Sequence, residues 1–195
     1  MPLAPAIYRL FRRTGPASYF DRLYGMSEDP FSLETSRYDA RKRRVVLDMV
    51  GRKSHHAALD AGCGTGMIAN ALVPHCRSVV AVDFSAVAVA RARKRNQHPE
   101  IVEFSQADLV HFRTAHPVDL VVCSEVLYYL EGGALDAAVS NLHASCAPDA
   151  WLIVVLPASK DERVLSRIRA RFHQLEYQRH KDWRRSYSVT LFTPR

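Results

Sequence analysis

The chain contains no apolar run approaching the roughly 18–20 residues that span a bilayer, so nothing in it reads as a membrane-crossing helix. It also lacks any Cys-x-x-Cys pair. Its four cysteines, Cys63, Cys76, Cys123 and Cys146, are scattered without metal-ligand spacing. That argues against a zinc module and a disulfide framework, and no metal site is expected. Thiols of this kind suit a reducing compartment, so the cytoplasm is the expected location. A secretory leader is not expected either, because Arg9, Arg12 and Arg13 come late in a weakly apolar opening and not ahead of it. Internal repeats and low-complexity tracts are absent as well. What remains is an ordinary globular composition, 48% hydrophobic and 24% charged over 195 residues, enough for one domain with a sizeable core.

The net charge of +7 is unevenly spread. Residues 1–56 carry 11 Lys/Arg against 6 Asp/Glu, residues 57–158 carry 6 against 10, and residues 159–195 carry 10 against 4. An acidic middle therefore lies between basic flanks. The flanks read either as solvated helix faces or as a basic rim that guides an anionic substrate.

Residues 1–30 hold Pro, aromatics and arginine, and predict short helical pieces packed on something larger. A helix capped by Ser32 or Thr35 is expected to run to about Val50 and end at Gly51, with Arg37, Arg41, Lys42 and Arg44 on a solvated face. Buried strands are expected at about 57–61, 78–83, 101–106, 118–123 and 151–156, with helices between them. Near-continuous apolar strands alternating with helices imply a parallel sheet covered on both faces. After a basic helix at about Asp161–Phe172, two extended segments, 174–181 and 186–193, lie too close together for a parallel crossover. They predict an antiparallel hairpin.

The stretch Leu59-Asp60-Ala61-Gly62-Cys63-Gly64-Thr65-Gly66 reads as a strand, a tight glycine turn and the opening of a helix at Met67. Alternating glycines let the backbone approach a ligand closely, and unpaired N–H groups after the turn suit an anionic or nucleotide-like group. A Walker-type phosphate loop is excluded because no Gly-Lys-Ser/Thr follows. A dinucleotide turn needs Gly-x-Gly-x-x-Gly, whereas Gly62, Gly64 and Gly66 are followed by Met67. Asp83 ends the next strand and Asp108 follows the third. An acid at Asp83 suits the ribose of either nucleotide type.

Together these residues resemble the class I S-adenosylmethionine (SAM)-dependent methyltransferases, whose Leu-Asp-x-Gly-x-Gly-x-Gly pattern matches Leu59–Gly66 and whose later acids match Asp83 and Asp108. The resemblance implies an α/β, Rossmann-like fold: a mostly parallel seven-stranded sheet with an antiparallel C-terminal strand, in a single domain with residues 1–50 as a helical lid and 57–195 as the core. It implies that Gly62, Gly64 and Gly66 face the methionine part of SAM, with Asp60 near its ammonium or sulfonium end. Asp83 would take both ribose hydroxyls and Asp108 the adenine amino group, with Leu109 and Ser124 beside them. Phe84 either flanks the adenine or packs in the core. The product left behind would be S-adenosylhomocysteine (SAH).

Two further stretches, Asp29–Lys42 and Ser124-Glu125-Val126-Leu127-Tyr128-Tyr129-Leu130, are similar to the nodulation-factor N-methyltransferase (NodS-like) branch. That family carries Trp where Phe31 stands, and usually Tyr-Glu where Tyr38-Asp39 stands. The resemblance implies methylation of an amine, with an amino sugar or chitooligosaccharide as one acceptor class. Glu125, at the end of the fourth strand, is expected to orient the acceptor and receive its proton, with Tyr128 and Tyr129 walling the transfer site. Tyr38 is expected in the lid over SAM, and His111 and His116 lie in a neighbouring loop. Few insertions separate the late strands, so a relatively open site suits an extended acceptor. Other readings stay open at this point: methylation of oxygen or of another small metabolite, an RNA or protein methyltransferase, a non-catalytic SAM-binding protein, and an NAD-dependent oxidoreductase. Neither membrane nor nucleic acid is an expected partner, and the oligomeric state is not specified by the sequence.

Overall fold

The computed structural model describes residues 16–181 and 185–195. The opening residues 1–15 and the hairpin tip around Trp183 lie outside the described residues. Among the described residues two helices come first, α1 (Pro16–Met26) and α2 (Arg37–Val50). The core then runs β1 (His55–Ala61), α3 (Met67–Ala71), β2 (Cys76–Asp83), α4 (Ala86–Arg95), β3 (Val102–Gln106) and β4 (Val118–Ser124). It continues through α5 (Gly132–Ser145), β5 (Cys146–Pro157), α6 (Asp161–Ile168), β6 (Phe172–Lys181) and β7 (Ser186–Pro194).

One seven-stranded sheet holds these strands in the order β3-β2-β1-β4-β5-β7-β6. The first five pair in parallel, while β7 runs antiparallel to both β5 and β6. The seven strands and the antiparallel hairpin agree with the expected fold class.

The period-two alternation of strand side chains sorts the core into two layers. Ala58, Leu120, Val122, Ile153 and Val155 face one side, where Val46, Met49 and Val50 of α2, Ala69 of α3 and Val89 and Ala92 of α4 cover them. Leu59, Ala61, Val121, Cys123, Leu152 and Val154 face the other, under Leu135, Val139 and Leu142 of α5 and Val164 and Ile168 of α6. Strands buried on both faces are what the unbroken apolar runs required.

Several boundaries differ from the sequence expectation. The cap of α2 is Ser36, whose side chain accepts from the Asp39 N–H, one residue beyond Thr35. After the glycine turn α3 lasts only five residues, and a 3₁₀ turn (Val73–His75) with Pro74 in it carries the chain into β2. Helix α6 stops at Ile168 and not at Phe172, because Phe172 is fully buried in edge-on contact with His143 and Phe192 and so opens β6. Strand β5 starts as early as Cys146, paired with Val118. Its register then slips so that Trp151 faces Leu120, which accommodates Pro148.

Candidate active site

The carboxyl ends of β1, β2 and β4 meet where the strand order reverses, the place at which open α/β sheets bind ligands. At the end of β1 all three turn glycines take positive φ: +82° at Gly62, +54° at Gly64 and +82° at Gly66. A Cβ on Gly66 would lie 2.7 Å from the Phe104 ring, so packing from β3 also demands glycine there. A Cβ on Gly64 would meet only the Tyr24 hydroxyl, at 2.9 Å. Gly64 is therefore the point where the turn lies open towards α1.

Asp83 ties the turn to the next strand. Its carboxylate accepts from the Gly64 N–H at 2.9 Å and from the Ser85 N–H at 2.9 Å, one bond to each oxygen. A carboxylate offers about four lone-pair sites, so two backbone bonds leave capacity for hydroxyl donors. Burial raises the Asp83 pKa, and its backbone hydrogen bonds oppose that rise. Below the turn Asp60 is buried, and its Oδ2 has no hydrogen-bond partner among the described residues. Burial pushes its pKa up to about 7, against a backbone hydrogen bond from Ala69, with the Asp83 charge adding to the rise. A buried carboxylate with one oxygen left without a hydrogen bond, beside a glycine cradle, fits a ligand that brings a cationic group. These residues suit SAM, which carries an ammonium and a sulfonium.

Helix α1 is fastened over this turn. Tyr24 is buried, with its ring edge-on to Phe31 at 5.7 Å, and burial together with nearby Asp83 keeps its hydroxyl protonated. Phe20 packs on Phe84 and on Tyr129, each at 5.2 Å. The Asp21 carboxylate accepts from the Ser85 hydroxyl at 2.6 Å and from the Val87 N–H at 3.3 Å. Phe84 thus packs against α1, while Gln106 donates to the Phe84 carbonyl. Asp108 is exposed after β3, with Oδ1 accepting from the Val110 N–H in a local turn. The Leu109 side chain enters the core and its carbonyl accepts from Asn141. His111 and His116 are exposed in the loop that follows.

The second half of the site lies at the end of β4, beside Ser124. Glu125 takes φ +61°, rare for a residue with a side chain, and its N–H donates to the Val155 carbonyl of β5. The Glu125 carboxylate meets the Lys42 ammonium at 2.8 Å, and Lys42 also pairs with Asp39 at 2.8 Å. Lys42 is 7% exposed, so it does not belong to the solvated face expected of α2: it points inward, and its charge is satisfied by two carboxylates. Tyr38 stands at this end of the site. Its ring lies 5.1 Å from the Lys42 ammonium, 5.6 Å from the Arg185 guanidinium and edge-on to Tyr187. Burial pushes its pKa up to about 12. Tyr128 and Tyr129 pack with ring centroids 4.3 Å apart and hydroxyls 3.0 Å apart. Burial, then the Glu125 charge, raises the Tyr128 pKa.

The structure thus brings Glu125, Tyr128 and Tyr38 together on one side of the site, and Gly64, Asp60 and Asp83 on the other. Tyr129 joins the two through Phe20. Sequence reasoning missed Tyr24, Asp21 and Lys42. The spacing of Phe20 and Tyr24, and of Asp39 and Lys42, marked shared helix faces, but nothing local named what those faces touch. Among the described residues no group of three or more His, Cys, Asp or Glu could hold a metal ion. No helix among them is long and apolar enough to cross a membrane.

The layered sheet with its reversed hairpin is the Rossmann-like fold of class I methyltransferases. The crystal structure of N-methyltransferase NodS from Bradyrhizobium japonicum WM9 in complex with SAH matches it with a TM-score of 0.83 at 22% identity, covering 91% of this chain and 97% of that one. A putative methyltransferase from Pseudomonas syringae matches with a TM-score of 0.70 at 27% identity, covering 81% and 99%. Residues 22–167 match the family model of nodulation protein S (NodS), and the chain belongs to that family. Nodulation protein S of Sinorhizobium fredii NGR234 is 31% identical over 129 residues, 65% of this chain and 60% of that relative's length.

Proposed function

We propose that the protein is a SAM-dependent N-methyltransferase acting on the free amine of an amino sugar or chitooligosaccharide. The observation that carries this reading is the meeting of two half-sites on adjacent strands: the glycine turn with Asp60 and Asp83 after β1 and β2, and Glu125 with its tyrosines after β4. Membership of the nodulation protein S family and the fold shared with the N-methyltransferase NodS of Bradyrhizobium japonicum WM9, seen in complex with SAH, support it.

In this reading Gly62, Gly64, Gly66, Asp60 and Asp83 hold SAM, with Phe84, Asp108, Leu109 and Ser124 along its nucleoside. Helices α1 and α2 form the cover, with Tyr24 over the glycine turn. When bound, SAM supplies a methyl group on a sulfonium that is already a good leaving group. The protein therefore has little bond-making of its own to promote, and its contribution is positioning and exclusion of water. An ammonium has no lone pair, so the acceptor must react as the neutral amine. Glu125 accepts a hydrogen bond from the amine, orients its lone pair and receives the proton released as nitrogen gains the methyl group. Tyr128 and Tyr129, packed together beside Glu125, wall the site and keep water away. The four cysteines are free thiols, in keeping with a cytoplasmic enzyme.

Calorimetric titration with SAM, SAH and NAD tests the cofactor, and a methyl-donor assay across chitooligosaccharides, amino sugars and small amines tests the acceptor. Glu125→Gln is expected to bind SAH normally and lose about 100-fold in turnover, the range of general acid–base catalysis. Unchanged turnover would remove Glu125 from the mechanism, and absence of SAH binding in the unaltered protein would sink the reading as a whole.

A further inference from the structure

We propose that Lys42, anchored by Asp39, is a positioning residue that aims the Glu125 carboxylate at the acceptor amine. The inference rests on the reading of Glu125 as the group that meets the acceptor, and it adds a residue that no motif in the chain assigns.

The geometry separates this role from simple helix stabilisation. Asp39 and Lys42 lie three residues apart on α2, and that pair alone would satisfy a lysine tucked against its own helix. The ammonium instead makes a second 2.8 Å bond, to Glu125 Oε1, across 83 residues of sequence. An ammonium has three donors, and here two carboxylates draw on it from opposite elements. Burial works against a charged lysine, and the Glu125 and Asp39 charges outweigh that effect and raise its pKa. The Tyr38 ring lies 5.1 Å from the ammonium.

Glu125 needs such a hold. Its left-handed backbone takes it out of the β4 strand geometry, so strand packing does not fix where the carboxylate points. Lys42 takes Oε1 and leaves Oε2 outside the ion pair. Together with the Tyr128 hydroxyl, which also hydrogen-bonds the Glu125 carboxylate, this makes a flexible glutamate a fixed acceptor and ties α2 to that end of the sheet. Asp39 keeps the ammonium from following the carboxylate when an amine arrives.

The test is a kinetic cycle on the full chain, using SAM and a chitotetraose with one free amine, with SAH affinity checked by calorimetry for every variant. Lys42→Met is expected to lower kcat about 10- to 100-fold, the effect of a misplaced reacting group. KM and SAH affinity should stay within about threefold, because binding contacts are left in place. Lys42→Arg, which keeps the charge, should recover most of the lost rate. In a Glu125→Gln background, Lys42→Met should remove nothing further, because Lys42 acts through that carboxylate. An equal further loss there would make Lys42 merely structural and overturn the proposal. If Lys42→Met does not fold, Asp39→Asn takes its place: it keeps the cation and removes the anchor, and an unchanged kcat would also overturn the proposal. Full turnover by Glu125→Gln would sink the acceptor reading instead.

A measurement without acceptor completes the test. In the SAH-bound protein the Lys42 ammonium should give a slowly exchanging side-chain ¹⁵N–H signal, lost in Lys42→Met and moved in Glu125→Gln. A Lys42 ammonium exchanging as fast as the exposed lysines would overturn the proposal whatever the acceptor is.

Discussion

At the scale of single residues, the glycine turn separates two reasons for having no side chain. Gly66 is needed by packing, since a Cβ would press on the Phe104 ring at 2.7 Å in a backbone of φ +82°. Gly66→Ala is expected to cost about 1–3 kcal/mol in denaturant unfolding, from overpacking added to left-handed strain. Gly64 faces only the Tyr24 hydroxyl, so Gly64→Ala should disturb SAH affinity more than it disturbs folding. Calorimetry beside chemical denaturation of the two variants distinguishes the effects, and equal behaviour would contradict the distinction. The turn itself was legible, because glycine spacing is a local signal. The Lys42–Glu125 pair was not: its members stand 83 residues apart, and on sequence alone Lys42 is one more cation in Arg41-Lys42-Arg43-Arg44.

At the scale of elements, the Ser85 side chain joins two of them. Its hydroxyl accepts from the Ala88 N–H to cap α4, and the same hydroxyl donates to Asp21 of α1. Ser85→Ala removes both bonds, and a loss of about 1–2 kcal/mol is expected from the cap alone. Weaker docking of α1 should appear as faster hydrogen exchange across 16–26, and unchanged exchange there would show that Ser85 does not fasten that helix. Strands β1 to β5 were readable because each holds a buried apolar run closed by a polar residue, the glycine turn or a proline. The ends of β5 and α6 were not, because Phe172 and Pro148 find their place through contacts with other strands and helices. The packing of Phe20 on Phe84 was hidden for the same reason: an aromatic on a short helix does not say which partner it will meet.

At the scale of the whole molecule, one buried acid should be visible in the pH dependence of folding. Asp60 titrates near 3.8 when unfolded and at about 7 when folded, chiefly because of burial. Below both values the acid is protonated in either state and has no effect. As pH rises from about 4 to 7 the unfolded chain releases its proton first, so stability falls across that window and levels off above it. The full effect is at most about 4 kcal/mol. Asp60→Asn is expected to flatten this slope in urea denaturation of the ligand-free protein at pH 5 and pH 7.5, and an unchanged slope would assign it to other groups. Glu125 has a consequence at the same scale. Held at φ +61°, it occupies a position where the backbone by itself prefers glycine. Glu125→Gly should therefore fold more stably than Glu125→Ala by about 1 kcal/mol, although both lack the carboxylate. On the role proposed for Glu125, the carboxylate is therefore held in place at the expense of backbone ease.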